Sequence, residues 1–323
     1  MALSYEFSIG SVRAKENSML TNADLAHMLS VNTSDELCRF LRDKGYGDGN
    51  DVEEIIENHS QKMWNYLKSV APDFDMFSPF LYQNDIHNLK AVLKGTMVSR
   101  DYNPLLIAPN TINTDTLKKA VENRKFSLLP DWLAKSADNA YEVIAHTSDA
   151  RLCDAILDKA VMNEMLLAST KLDSKFVAEY FKTTVFYNNV KIAIRSAKTG
   201  ADKEFLEQAL CDVDGFSKSS VINGAVKGTD ALLDVLSKCS DYNCSGAIDE
   251  YKKSPSAFEK FVDDKLITMA KECCKRASEG AEPLMGYLIG SEAEKKVIHI
   301  IDCGIRTKSG EEIIRERLRE IYG

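Results

Sequence analysis

At 323 residues, with 44% hydrophobic and 28% charged side chains, the chain has an ordinary globular composition and enough length for two or three packing units. Its formal net charge of −8 argues against nucleic acid as the main partner, since phosphate binding needs a basic excess. No apolar run approaches the ~18 residues of a membrane span, and Met1 to Phe7 lack a charged-then-apolar leader, so a cytosolic chain is expected.

In chain order the signals are helical. Thr33-x-x-Glu36 has the spacing of a capping box, and Leu37, Phe40 and Leu41 follow on one helix face. A loop of glycine and acid, Gly45 to Asp51, precedes the stripe Val52, Ile55, Ile56, His59, Met63 and Leu67 at i, i+3, i+4, i+7 spacing. Tyr82 to Leu93 reads as a polar lead-in and then a helix, and Phe186 to Ile194 reads the same way. Thr147-Ser148-Asp149 and Ser254-Pro255, with Ser256-x-x-Glu259, are further helix starts. Ser309-x-x-Glu312 opens a C-terminal helix carrying Ile313, Ile314, Leu318 and Ile321, with Glu311 four residues before Arg315. The seven prolines fall between stripes, and hairpin signals are absent. The expected fold class is all-α.

One pattern occurs three times. Leu37 to Asp43-Lys44 returns as Leu152 to Asp158-Lys159 and, more worn, as Phe258 to Asp264-Lys265. Offsets of about 100 residues indicate copies of one helical unit, with divisions expected at 1–103, 104–203 and 204–323. A second anchor follows each copy: Asn88 and Lys90, Asn189 and Lys191, then a segment with Glu294, Lys296 and Ile298 that lacks an Asn-x-Lys pair. The gaps are 46 positions from Lys44 to Lys90, 32 from Lys159 to Lys191 and 33 from Lys265 to Ile298. The excess in copy one is assigned to the loop at 45–51 and the helix after it. The nine motif positions and the two Asn-x-Lys pairs, thirteen in all, are structural repeat markers, not a reactive site.

Signals for chemistry are few. No His-Glu-x-x-His helix, nucleophile elbow, phosphate-binding loop or dinucleotide fingerprint occurs, so no catalytic, metal or cofactor residue is assigned. Asp85, His87 and Asn88 form the one polar cluster that invites a catalytic or metal reading; a cap with interhelix hydrogen bonds accounts for it more simply. The eight cysteines read as free thiols, with Cys38 and Cys153 at matching apolar positions and Cys239 and Cys244 as a pair without a partner pair.

Three segments resemble a known family. They are Tyr5-x-Phe7 with Val12-Arg13-Ala14-Lys15-Glu16 and Met19-Leu20; Asp85-Ile86-His87-Asn88-Leu89-Lys90; and Tyr287-Leu288, Glu294, Gly310, Ile314 to Arg319 and Tyr322. In this order they resemble the C subunit of bacterial and archaeal V-type (A-type) ATPases, to which the d subunit of the eukaryotic vacuolar enzyme is related. The resemblance implies three similar helical subdomains around a pseudo-threefold axis, forming a funnel. It implies a non-catalytic rotor component without cofactors, a socket between the central stalk of the D and F subunits and the membrane proteolipid ring. Such a component links ATP turnover to H+ or Na+ transport from a peripheral position at the cytoplasmic face. The Cys239–Cys244 region has no counterpart in that pattern. Other readings of the residues are an all-α metal-dependent enzyme and a generic helical-repeat scaffold.

Overall fold

A computed structural model describes residues 4–323; Met1-Ala2-Leu3 of the stretch read for a leader lie outside them. Among the described residues there are sixteen α-helices and no strand, so the fold is all-α. The chain forms two compact units, one from the residues up to Met76 together with Asp249–Gly323, the other from Phe77–Ile248.

The first unit begins with α1 (Tyr5–Glu16), α2 (Asn22–Ser30), α3 (Ser34–Asp43) and α4 (Val52–Val70). The second holds α5 (Ser78–Met97), α6 (Thr114–Glu122), α7 (Asp131–Thr147), α8 (Ala150–Lys171), α9 (Lys175–Thr199), α10 (Lys203–Ala209), α11 (Lys218–Lys227) and α12 (Thr229–Ser237). The chain returns through α13 (Cys244–Lys253) to α14 (Pro255–Cys274), α15 (Glu282–Arg306) and α16 (Glu311–Arg317).

Caps define the starts. Thr33 Oγ1 accepts from the Glu36 N–H at 3.2 Å, while the Glu36 carboxylate takes the Asn32 N–H at 2.9 Å, one residue short of a closed box. Asp149 accepts from the Leu152 N–H at 2.9 Å. For α14 the cap is Ser254, accepting from Ala257 N–H at 3.0 Å, with Pro255 in the first turn where a missing N–H costs nothing.

In the first unit α15 packs on α1, α3, α4 and α14. Its core joins Leu20, Leu37, Leu41, Ile55, Ile298 and Ile301, all fully buried. Each such aliphatic contributes roughly 1.5–3 kcal/mol relative to an exposed one. In the second unit α8 is central, packed on α5, α7, α9 and α10, over a core that includes Phe181, Phe186 and Tyr187.

The long helices come in three consecutive pairs: α4 then α5, α8 then α9, α14 then α15. Their sequences align without gaps as Val52-x-x-Ile55-Ile56-Glu57, Cys153-x-x-Ile156-Leu157-Asp158 and Phe258-x-x-Phe261-Val262-Asp263, in which the apolar residues are buried except the half-buried Phe261. From each of these acids it is 31 positions to Asn88, Asn189 and Glu294, and 33 to Lys90, Lys191 and Lys296. Copy one of the long-helix pair thus starts on α4, not at Leu37 on the ten-residue α3, and the expected insertion disappears.

Two further expectations differ. Tyr82 to Asn88 and Phe186 to Asn189 are not lead-ins, because both lie inside long helices. The terminal helix stops at Arg317 rather than running through Ile321, and Gly310 stands at its N-cap without a side-chain cap bond. The tail is drawn off the helix path by stronger partners. Asp264 Oδ1 accepts the Glu320 N–H at 2.7 Å, and Lys260 donates to the Leu318 carbonyl. Tyr322 is fully buried against α15, where a Cβ on Gly286 would stand 2.4 Å from its Oη and one on Gly290 2.6 Å from its Cβ.

Candidate functional site

The second-anchor residues act as clasps. Asn189, buried within α9, donates from Nδ2 to the Cys211 carbonyl at 2.9 Å and accepts the Cys211 N–H at 3.0 Å. Asn88 of α5 does the same for Ile107, at 2.9 and 2.8 Å. A side-chain amide matches both backbone groups of an extended residue, so each Asn fixes a returning segment along its helix. At the corresponding place on α15 stands Glu294, 3% exposed. It accepts the Leu20 N–H on one oxygen and the Tyr46 hydroxyl on the other, the latter at 2.6 Å. Burial pushes the Glu294 carboxyl up to about 7 against these two bonds. Tyr46 also stacks on His59 at 4.0 Å, and burial lowers that imidazole to about 4.

The Asp85 cluster is committed to structure. Asp85 is fully buried and accepts from Thr111 N–H and Ile112 N–H at 2.9 Å and from Thr111 Oγ1 at 2.6 Å. Burial raises its carboxyl, opposed by those three donors. His87 Nε2 donates to the Leu105 carbonyl at 2.9 Å. With Asn88 beside them, the three side chains pin the segment 105–112 to α5. Among the described residues no three His, Cys, Asp or Glu side chains converge to hold a metal ion.

Two of the lysine markers, Lys44 and Lys90, form ion pairs, as do Lys94 and Lys296. Lys90 meets Asp158 at 2.5 Å, Lys94 meets Asp154 at 2.6 Å, and Lys44 meets Asp24 at 2.7 Å. Lys296 and Arg319 meet Asp263 at 2.7 and 3.0 Å. Burial alone would raise Asp263, but these two cations hold it below its ordinary value. Lys159 donates to the Glu207 carbonyl at 2.7 Å. Leu37 and Phe258 are buried, whereas Leu152 is only partly so and its neighbour Cys153 takes the core position. The markers are therefore spread over several helices and do not converge on one site. Lys191 lines a 360 Å³ recess with Lys90, Asp158 and Arg195, while Asp43 and Lys265 stand apart from it.

One wide concavity went unseen in the sequence reading. A groove of 780 Å³ lies between the end of α5, the turn after it and the α7–α8 junction. Val98 and Leu105 line it while 62% and 57% exposed, together with Lys94 and Arg100. Apolar side chains held in water at the mouth of a groove favour coverage by another macromolecule over capture of a small polar metabolite. The only sequence signal was two apolar residues, Val98 and Leu105, flanking the polar turn Ser99-Arg100-Asp101.

Comparison with known proteins gives this architecture its relatives. Residues 8–317 match the family described as ATP synthase (C/AC39) subunit. The chain belongs to that family. It is 21% identical over 319 residues to the C subunit of the V-type sodium ATPase of Enterococcus hirae, covering 96% of this chain and 97% of that one. It is 23% identical over 332 residues to the C subunit of the A-type ATP synthase of Methanocaldococcus jannaschii, with 93% and 82% covered. The corresponding protein of Methanothermobacter thermautotrophicus is 22% identical over 319 residues, with 90% and 81% covered. No helix among the described residues is long and apolar enough to cross a membrane.

Proposed function

We propose that this C/AC39 protein is a non-catalytic rotor component of a V/A-type ATPase, a socket that joins a shaft of D and F subunits to the proteolipid ring. The carrying observation is the family match, which spans residues 8–317 and so takes in all three long-helix pairs. A socket must pass torque without slipping, and close-packed helices resist deformation because their interiors are as dense as organic crystals. In this reading the three pairs belong to three subdomains around a pseudo-threefold axis, divided at 1–103, 104–203 and 204–323. The two divisions fall close to the clasped residues Ile107 and Cys211, where chain segments return along their helices. The protein sits peripherally at the cytoplasmic face, and ATP turnover in the head is coupled through it to H+ or Na+ movement in the ring. The groove at the end of α5 is covered by the shaft: Val98 and Leu105 stand exposed in its lining with Arg100, while Lys90 and Lys94 there are already paired with Asp158 and Asp154.

The test is reconstitution. The purified chain should capture the D–F heterodimer of its own complex and join it to ring-containing membranes. Failure of both interactions, with the chain folded by circular dichroism, would sink the reading. The metal-enzyme alternative loses ground because Asp85, His87 and Asn88 are engaged with backbone and hydroxyl groups.

A further inference from the structure

Cys239 and Cys244 bound a turn that the family reading leaves without a role. Cys239 is partly exposed and Cys244 fully buried at the first position of α13. The Ser245 N–H donates to the Cys239 carbonyl at 3.2 Å, so the chain folds back and brings the residue that follows Cys244 against Cys239. Cys239 Sγ also points to the Gly215 carbonyl at 3.6 Å and to Asp241 Oδ2 at 3.9 Å. The turn between them is firmly held. Tyr242 and Asn243 both adopt left-handed backbone, at φ of 53° and 57°, an arrangement that non-glycine residues keep only when their surroundings impose it. The fully buried Tyr187 supplies part of that constraint, its hydroxyl donating to the Tyr242 carbonyl at 2.6 Å. A Cβ on Gly215 would stand 2.8 Å from Asp241 Cβ, so that glycine lets the turn close against its neighbour.

We propose that Cys239 and Cys244 form a reversible disulfide by exchange with a small-molecule disulfide of the glutathione type. The Cys239 thiolate attacks one sulfur of the small disulfide, forming a mixed disulfide and releasing one small thiolate. The Cys244 thiolate then attacks the Cys239 sulfur, closing the ring and releasing the second small thiolate. The two protons lost by the cysteines end on the two released thiols, so one disulfide is reduced as one is formed. Burial raises both thiols above their ordinary value, Cys244 to about 12, so the exchange is slow at neutral pH and accelerates as pH rises. The exposed thiols Cys273 and Cys303 act as an internal comparison. Closure would tighten the turn leading into α13, through which the chain passes from its second unit to its first.

The test uses the intact folded chain in mixtures of reduced and oxidised glutathione, quenched by alkylation and read by intact mass and peptide mapping. The expected product is two hydrogens lighter, links the peptides of Cys239 and Cys244, and reverts with dithiothreitol. Cys244→Ser, or Cys244→Ala should the serine variant fold poorly, should accumulate a stable glutathione adduct on Cys239. Cys239→Ser should yield no closed form and only adducts at Cys273 and Cys303. Wild-type chain that keeps glutathione on Cys239 without closing, or leaves Cys239 unreacted at every ratio, overturns the proposal, as does an equal yield of closed form from Cys239→Ser.

Discussion

Asn189 and Cys211 exchange two hydrogen bonds across 22 positions of sequence, the Asn amide donating to the Cys carbonyl at 2.9 Å and accepting its N–H at 3.0 Å. Both residues are fully buried. Asn189→Ala leaves two backbone groups without water or partner, which costs roughly 2–6 kcal/mol at 1–3 kcal/mol per group. The matching change Asn88→Ala should cost less, about 1 kcal/mol, because Ile107 is 39% exposed and water can replace the amide. Urea denaturation followed by circular dichroism compares them; equal losses would show that burial of the clasped residue is not what matters.

Glu294 gives the first unit a pH signature. Its carboxyl has an ordinary value of 4.5 when unfolded and about 7 when buried, so between those values the folded state holds more proton than the unfolded. Stability from this group therefore falls as pH rises through that window. His59 works oppositely: lowered from 6.5 to about 4, it withdraws stability as pH falls through 6.5 toward 4. Glu294→Gln keeps an acceptor for the Leu20 N–H and removes the titration. The melting-temperature difference between variant and wild type should be smallest below pH 4.5 and grow to a plateau above pH 7. A difference independent of pH would contradict the assignment.

Tyr322 closes the tail over α15. Removing its ring in Tyr322→Ala should cost about 3–5 kcal/mol, the usual loss for a large buried aromatic, while Tyr322→Phe should stay within about 1 kcal/mol. Gly290→Ala should destabilise by about 1–3 kcal/mol through overpacking against the same ring. Thermal melts of the three variants test this, and a silent Gly290→Ala would mean that the tail moves aside at no cost.

The groove at the end of α5 supplies a functional prediction. Val98→Asp with Leu105→Asp should leave the melting temperature unchanged, because both side chains are already exposed. Capture of the D–F shaft should weaken at least tenfold, and binding of wild type should weaken as salt is raised. Unaltered shaft binding with lost ring binding would assign this face to the ring instead.

The all-α class was legible in the sequence because helical periodicity and caps are local. The stripe from Val52 to Leu67 is α4, and Ser254-Pro255 starts α14. Threefold copying was an expectation of the sequence, and the aligned helix pairs put its register in copy one on α4 rather than on α3. Asp43-Lys44 repeats the letters of Asp158-Lys159, whereas Glu57-Asn58 does not, and letters at partly exposed positions drift freely. The buried triplet Val52, Ile55 and Ile56 keeps the spacing because core packing holds it. Glu294 went unrecognised as the counterpart of Asn88 and Asn189 for a related reason. A carboxylate can accept an N–H as an amide does, but only the folded chain brings Leu20 to it.

By itself, then, the sequence determined the helical class and several helix starts, properties set within a few turns of chain. Tertiary structure decided what lies far apart in sequence: the clasps from Asn88 and Asn189, the burial of Glu294 against Tyr46, and the diversion of the tail from Leu318 to Tyr322. Each depends on a buried polar or aromatic group finding a partner 19 or more positions away. No local pattern records such a partner, because the free energy that selects it arises only when water is excluded from both.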